Sequence, residues 1–428
     1  MILFDGRLMP DEELEKVLSG LEAHCIDTVS KRESVAEMAV MVMNACGVME
    51  ERIRTGVYDD ILNPLLQRGV FTEAQLAEAL EYFDHENMVA KYWTELGVLM
   101  DHMPEYNDKG VRITRRMEPL GVLFHIAAGN AQGLPFYSVI EGMMAGNVNI
   151  LKLPSADDGL SVMLLHKLIQ IEPKLAPYVC VLDVPSTNVE VMKRLAGMAD
   201  AVVVWGGDEA VRAVRTMADT NTQIISWGHK LSFAYVTEAA TDEELKELAK
   251  HICATRQVLC NSCQGLFVDT QDDAKVLAMG QRFLQILQEV AGEYPEESIG
   301  VRGKVSLSLY NEELESKDSG RKVLRGKGVS VTVMPDEKLE LSFMFKNCWA
   351  KPLPRAHIVK ALKGHRGHLQ TVGLLCAEEE RAELTDLLVK AGVTHVTRAG
   401  RMAHTVAGAT HDGEYPLRRY VRVVDVEL

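Results

Sequence analysis

Gly121-Val122-Leu123-Phe124-His125-Ile126-Ala127-Ala128 is an apolar run of strand length, and its reading decides the fold. A Gly/Asn/Pro turn follows. A helix over about 136–145 comes next, then a second strand at Val148-Asn149-Ile150-Leu151-Lys152-Leu153. The alternation continues, with strands expected over 179–184, 201–205, 223–226 and 233–236 and helices over 156–171 and 208–218. Strands separated by helices build a parallel sheet with crossover connections, so the fold class is α/β.

Outward from this stretch the texture differs. Residues 11 to 105 are rich in Glu, Leu, Ala and Met, poor in Gly and Pro, and read as helices. Thr72 is the expected N-cap of one of them, with Gln75 at the capping-box position. After residue 236 a second α/β unit is expected: a helix over 242–255, a strand over 265–268, a helix over 272–291, then a less regular region. A strand over 368–375, a helix over 378–391 and a strand over 394–398 complete it. The tail 415–428 alternates charged and apolar residues, as an edge strand does.

Composition narrows the function. The 428 residues carry a net charge of -15, which argues against nucleic acid or an anionic membrane as partner. No charge-free apolar run approaches the roughly 20 residues of a membrane helix, and residues 1–10 lack the apolar core of a signal peptide. The eight cysteines are scattered rather than framed for disulfides, the pattern expected of a cytoplasmic protein with reduced thiols.

Chemistry concentrates at Gln257-Val258-Leu259-Cys260-Asn261-Ser262-Cys263-Gln264-Gly265-Leu266-Phe267-Val268. A thiol just ahead of a strand is accessible yet held on a rigid element, which suits a covalent nucleophile. Cys260 and Cys263 form a lone Cys-x-x-Cys with no second pair, half of a zinc site at best. Two buried structural cysteines are the bland reading.

Gly206-Gly207 follows the apolar run ending in Trp205 and opens a helix, which lets backbone amides approach a phosphate or a nicotinamide ring; a tight structural turn explains it equally. Lys152 leaves a strand at its carboxyl end, where α/β sheets bind ligands; its bland reading is a solvated lysine. Asn130 sits in the turn after the first strand, where an amide can donate to an oxyanion or simply favour a turn.

The order Asn130, Lys152, Gly206-Gly207, Gly228-His229-Lys230, Cys260 resembles the aldehyde dehydrogenase superfamily, including its Gly-Asn and Lys-x-Pro-Ser elements at Ala145-Gly146-Asn147 and Lys152-Leu153-Pro154-Ser155. Within it, His368-Leu369-Gln370-Thr371-Val372-Gly373-Leu374, Gly400-Arg401-Met402 and His411-Asp412-Gly413 resemble the luminescence-type long-chain acyl-CoA reductase (fatty acyl reductase) family. The resemblance covers about residue 119 onward. It implies a helical section over 1–118 packing on the cofactor domain, a Rossmann-like NAD(P) domain over 119–236, a catalytic domain over 237–400 and a C-terminal oligomerisation segment over 401–428.

By that register Cys260 is the nucleophile, Cys263 a bystander, and Gln264 is similar to the coenzyme-A-dependent branch. Hydrolytic relatives place a glutamate before Gly-Gly-Lys to activate water. Here Ser226-Trp227-Gly228-His229-Lys230 has no acid, so an acyl-cysteine should resist hydrolysis and await reduction.

The implied reaction is reduction of an acyl thioester to an aldehyde. The donor is an acyl-CoA, with coenzyme A as leaving group, or an acyl-carrier or acyl-protein thioester. The Asn130 amide and the Cys260 amide stabilise the oxyanion. Trp205, Gly206, Gly207 and Gly228 line the nicotinamide side, and Lys152 and Ser155 the adenosine ribose. His229 is either a proton shuttle or a structural histidine.

Ser155 stands where NAD-preferring relatives carry an acid, which favours NADPH over NADH; Asp157 and Asp158 argue the other way. A homo-oligomer, dimer or tetramer, is expected. Two other classes stay open: a cysteine-dependent acyltransferase without hydride transfer, and a non-catalytic partner of an acyl-protein synthetase.

Overall fold

The computed structural model describes the whole chain except residues 98–105, 109–110, 128–132, 155–156, 316–319, 405 and 428, and describes only the backbone of 74, 78, 106–108 and 111–112. Asn130 and Ser155 lie outside the described residues. The chain forms two units, Met1–Gly228 with Val406–Leu428, and His229–Thr405.

The first unit is built on a seven-stranded sheet. Its order is Arg7–Met9, Ile2–Phe4, Val179–Leu182, Val148–Lys152, Val122–Ile126, Ala201–Trp205, Gln223–Trp227. The last five are mutually parallel, and the Ile2–Phe4 hairpin adds antiparallel to Val179–Leu182. Helices cover a parallel sheet on both faces, so its strands are apolar throughout rather than alternating. Every residue of Ala201–Trp205 and of Val148–Lys152 is buried.

Two polar side chains inside this sheet are fully wired. His125 contacts Ser138 Oγ through Nδ1 at 2.7 Å and Asn149 Oδ1 through Nε2 at 2.9 Å. Asn149 Nδ2 donates to the Asn147 carbonyl at 2.7 Å, and burial pushes the His125 pKa down to about 4. The Asn147 side chain accepts from Gly121 N at 3.0 Å and donates to the Tyr420 carbonyl at 3.0 Å, which fastens the C-terminal segment to this unit. Gly146 ahead of it takes φ 80, a left-handed geometry that favours glycine.

The second unit carries a seven-stranded sheet of order Lys322–Gly326, Val329–Val333, Asn347–Pro352, Cys263–Val268, Leu231–Val236, Leu369–Leu375, His395–Arg398, parallel except for the first strand. Gly265 sits where the Trp349 indole crosses the sheet, so a Cβ there would overlap the ring.

The expected alternation of strands and helices is present, except that the strand expected over 233–236 at the end of the first domain is Leu231–Val236 of the second sheet. The helix Glu73–Glu81 is capped by Thr72 with the reciprocal Gln75 bond, and the tail pairs as Val421–Glu427 at the edge of a small antiparallel sheet with Val111–Pro119 and Tyr106–Asp108. The opening section is not helical throughout. Its hairpin strands are three residues each, too short for a period to register, and Val111–Pro119 is interrupted by charges because one face stays open. The region read as irregular holds the helix Ile299–Glu315 and three of the sheet strands. No helix among the described residues is long and apolar enough to cross a membrane.

Candidate active site

The helix Asp242–Thr255 begins at a capping box of Thr241 and Glu244 and stops at two consecutive left-handed residues, Arg256 (φ 52) and Gln257 (φ 63). Neither is glycine, so the turn is held by side-chain bonds rather than by backbone preference. Gln257 supplies them. Its Nε2 donates to the Cys263 carbonyl at 3.0 Å, and its Oε1 accepts from Asn347 N at 3.1 Å.

Within the turn, Ser262 N donates to the Leu259 carbonyl at 3.1 Å and Leu259 N to Ser262 Oγ at 3.1 Å. Cys260 stands at its tip, exposed, with its carbonyl accepting from Ser232 Oγ at 2.8 Å; that hydroxyl accepts from Thr371 N at 3.0 Å. The backbone of Cys260 is thus tethered to the adjacent strand Leu231–Val236, and through Ser232 to the strand beyond it, while Cys260 stays exposed.

The other thiol of the pair differs in every respect. Cys263 is buried, its amide donates to His251 Nε2 at 3.2 Å, and burial pushes its thiol up to about 12. All eight cysteines are described, and Cys260 is the only exposed one. Gln264 is also buried. Its Nε2 donates to the Gln257 carbonyl at 3.2 Å and its Oε1 accepts from Ser342 Oγ at 2.8 Å, so it knits the turn from within. Asn261 Oδ1, next in sequence to Cys260, is buried with no hydrogen-bond partner among the described residues.

His229 shares this end of the sheet. Ser232 registers with Cys263 and Leu231 with Leu369, so His229 and Cys260 each lie three residues ahead of a matched pair on adjacent parallel strands. His368 Nδ1 donates to the His229 carbonyl at 3.0 Å, and the two rings lie 6.4 Å apart. His368 opens a run that resembles the long-chain acyl-CoA reductase family, but that resemblance assigns it no role at the site. These groups collect at the amino ends of the strands, opposite to the usual carboxyl-end crevice of α/β sheets.

In the first unit the candidate cofactor residues collect at the carboxyl ends instead. Ile126, Lys152 and Leu182 are in register, as are Trp205 and Trp227. The Lys152 side chain is only 4% exposed, which overturns its solvated reading. Its Nζ donates to Ser186 Oγ at 3.3 Å, and burial holds its pKa below the ordinary lysine value against the pull of Asp183. Asp157 and Asp158 are committed within the protein: Asp157 accepts from Ser161 N at 3.0 Å and Ser161 Oγ at 2.5 Å, and Asp158 pairs with Arg68 at 3.0 Å.

Gly206 and Gly207 form the turn into the helix Asp208–Met217, and a Cβ at Gly207 or Gly228 would meet nothing within 4 Å. The chain's own packing therefore leaves room at both. Trp205 is packed inward, its Nε1 donating to Ser138 Oγ at 3.0 Å and its ring stacked on Trp227 at 5.5 Å. A buried cation and unfilled glycines at the carboxyl ends of one parallel sheet fit a nucleotide phosphate or ribose. No group of three or more His, Cys, Asp or Glu side chains among the described residues is arranged to hold a metal ion.

The model of the acyl-CoA reductase (LuxC) family matches residues 63–423. The long-chain acyl-protein thioester reductase of Vibrio harveyi is 24% identical over 321 residues, covering 73% of this chain and 65% of that protein. That of Aliivibrio fischeri is 26% identical over 331 residues, again 73% and 65%. The matched part is thus just under two thirds of the length of these relatives.

Among solved structures, an NAD-dependent benzaldehyde dehydrogenase from Corynebacterium glutamicum superposes with TM-score 0.69 at 12% identity, over 99% of this chain and 91% of that one. The glyceraldehyde-3-phosphate dehydrogenase GapN from Methanocaldococcus jannaschii, complexed with NADP, gives 0.70 at 12%, over 99% and 95%. These likenesses establish an aldehyde-dehydrogenase-like α/β fold.

Proposed function

The chain belongs to the acyl-CoA reductase (LuxC) family, and from that premise we propose that it reduces an acyl thioester to an aldehyde through an acyl-Cys260 intermediate, with NADPH as reductant. The observation that carries this reading is the contrast between the two thiols of one turn. Cys260 is exposed on a tethered backbone, and Cys263 is buried with its thiol pushed up to about 12. A nucleophile needs access and a fixed position, and Cys260 alone of the eight cysteines has both.

The Cys260 thiol loses its proton and attacks the thioester carbonyl; the C–S bond to the donor breaks, and the donor leaves as a thiol, coenzyme A or a carrier thiol. The oxyanion of the addition step is met by the Cys260 amide and, as the family resemblance implies, by Asn130. A thiolate leaves readily, so the site needs no strong acid. His229, on the strand end beside that of Cys260, with His368 on its carbonyl, passes the thiol's proton to the departing donor thiolate and returns a proton from solvent to Cys260 after reduction.

A bound nicotinamide cofactor supplies the hydride. Lys152 holds its adenosine ribose, and Gly206, Gly207 and Gly228, with the backbone of Trp205, admit its nicotinamide half. Lys152 would present its ammonium to the 2′-phosphate of NADPH, with Asp183 the carboxylate that acts on it and Asp157 and Asp158 engaged with Ser161 and Arg68. Release of the aldehyde returns Cys260 as a thiol.

The test is NADPH oxidation with acyl-CoAs of short, medium and long chain, beside Cys260→Ala. Oxidation that depends on chain length and vanishes in the variant supports the reductase and sets the acyl class. Release of free coenzyme A by the parent without NADPH oxidation transfers the assignment to an acyltransferase.

A further inference from the structure

The strand Leu231–Val236 lies between Cys263–Val268 and Leu369–Leu375 in the second sheet, and both neighbours slip register against it at one level. Leu231 matches Leu369 and Phe233 matches Val372, so three residue steps on that neighbour face two on the middle strand. On the other side Ser232 matches Cys263 and Ala234 matches Leu266, again three steps against two. One neighbour thus carries an extra residue opposite Ser232, the other an extra residue opposite Phe233. Such slips are uncommon between parallel strands, and they gather next to active sites, where they re-aim a side chain or end the pairing. They also interrupt the ladder in the interior, where an unpaired backbone group is costly.

Ser232 repairs the interruption with its side chain. It is fully buried, and its Oγ accepts from Thr371 N at 3.0 Å, an amide of the stretch that carries the extra residue. The same Oγ donates to the Cys260 carbonyl at 2.8 Å. A hydroxyl has one proton and an amide N–H only donates, so both bonds run one way, from Thr371 through Ser232 to Cys260. In a buried chain each bond strengthens the next. We propose that Ser232 is a positioning residue for the nucleophile: its hydroxyl, brought to this place by the double slip in register, fixes the Cys260 carbonyl and with it the direction in which the Cys260 side chain leaves the turn.

The other bonds of the turn act elsewhere. Those between Leu259 and Ser262 close the turn on itself, and those of Gln257 and Gln264 hold its base. The Ser232 bond reaches the tip and ties it to a strand. A held carbonyl sets the plane of the Cys260–Asn261 peptide, and that plane orients the Cα–Cβ bond of Cys260. Without the bond the tip pivots, and a displacement of about 1 Å in an attacking atom costs about 100-fold in rate. The thiol stays exposed through that pivot, so its bare reactivity is retained while its aim is lost. This role rests on Cys260 being the acylated residue, as proposed above.

The experiment follows acylation of Cys260 by radiolabelled acyl-CoAs without NADPH, for the parent, Ser232→Ala, Ser232→Thr and Tyr235→Phe, with circular dichroism to confirm folding. Tyr235 is the control. Its hydroxyl donates to the Leu353 carbonyl at 2.8 Å towards the other end of the same strand, so its loss removes a buried bond far from the turn. Iodoacetamide labelling measures the bare thiol, because a small electrophile approaches an exposed thiol from any side. Ser232→Ala should acylate about 10- to 100-fold more slowly, with iodoacetamide labelling of Cys260 within about threefold of the parent. Ser232→Thr, which keeps the hydroxyl, and Tyr235→Phe should acylate within about threefold of the parent. Parental acylation in Ser232→Ala overturns this inference alone. So does loss of acylation and iodoacetamide labelling together, or equal slowing in Tyr235→Phe. If Ser232→Ala does not fold, Ser232→Thr decides, and slowing of about tenfold or more in it overturns the inference. A parent that takes up no acyl group at Cys260 overturns the reading of the site as well.

Discussion

Gln257 Nε2 donates to the Cys263 carbonyl at 3.0 Å, across the base of the turn whose tip is Cys260. The same side chain accepts from Asn347 N at 3.1 Å, and its own backbone stands at φ 63. Truncation strands a buried carbonyl and a buried amide, which costs about 2–3 kcal/mol. Alanine also keeps the left-handed strain, whereas glycine relieves about 1 kcal/mol of it. Urea unfolding should therefore rank stability as parent, then Gln257→Gly, then Gln257→Ala. If alanine proves the more stable of the two variants, the strain argument fails.

Thiol chemistry reports on the turn directly. At pH 8, limited iodoacetamide treatment should add one label per chain, mapped to Cys260 by peptide mass, and none to Cys263. The accessible thiol reacts as its thiolate, and burial suppresses the other. The Cys260→Ser protein should take up no rapid label. Rapid labelling at Cys263 would remove the contrast on which the assignment of the nucleophile rests.

How much of this was legible beforehand follows from what each feature leaves in a sequence. Parallel strands buried on both faces leave uninterrupted apolar runs, so Ala201–Trp205 and its neighbours are plain, and helices such as Asp242–Thr255 are framed by their own caps. The Ile2–Phe4 hairpin leaves too few residues to show a period, and Ile299–Glu315 hides because apolar residues on two sides erase the amphipathic signal. At the site, the access of Cys260 was legible from its place just ahead of a strand, but the burial of Lys152 was not. That Cys263 is buried and Lys152 almost buried is decided by strands distant in sequence. Gln257 left no trace, since glutamine carries no preference for positive φ.

Stability at low pH follows from two buried neutral histidines. His125 and His251 both have pKa values pushed down to about 4 by burial, against 6.5 when unfolded. The unfolded chain binds more protons than the folded one between those values, so their contribution is complete above pH 6.5 and drains away as pH falls towards 4. Asp157 works in the opposite sense, because burial raises its carboxyl to about 6 from 3.8 and the folded form takes up the proton first. Unfolding free energy measured from pH 7 to 4 should accordingly fall, and fall more steeply in Asp157→Asn than in the parent. A shallower limb in that variant would contradict the sign assigned to Asp157.

Lys152 offers the sharpest test of cofactor choice. Its Nζ is buried, has Ser186 Oγ at 3.3 Å and feels the carboxylate of Asp183, while Asp157 and Asp158 are bound to Ser161 and Arg68. A 2′-phosphate brought to that ammonium gains a charge-assisted bond, whereas the 2′-hydroxyl of NADH gains a neutral one. Lys152→Met keeps the buried stem that Lys152→Ala would also remove, so it isolates the charge. Loss of a bond worth about 1.5–3 kcal/mol should raise the KM for NADPH about 10- to 100-fold and leave that for NADH within a factor of about three. Equal losses with both cofactors would assign Lys152 to the ribose they share and return the choice between them to residues elsewhere in the crevice.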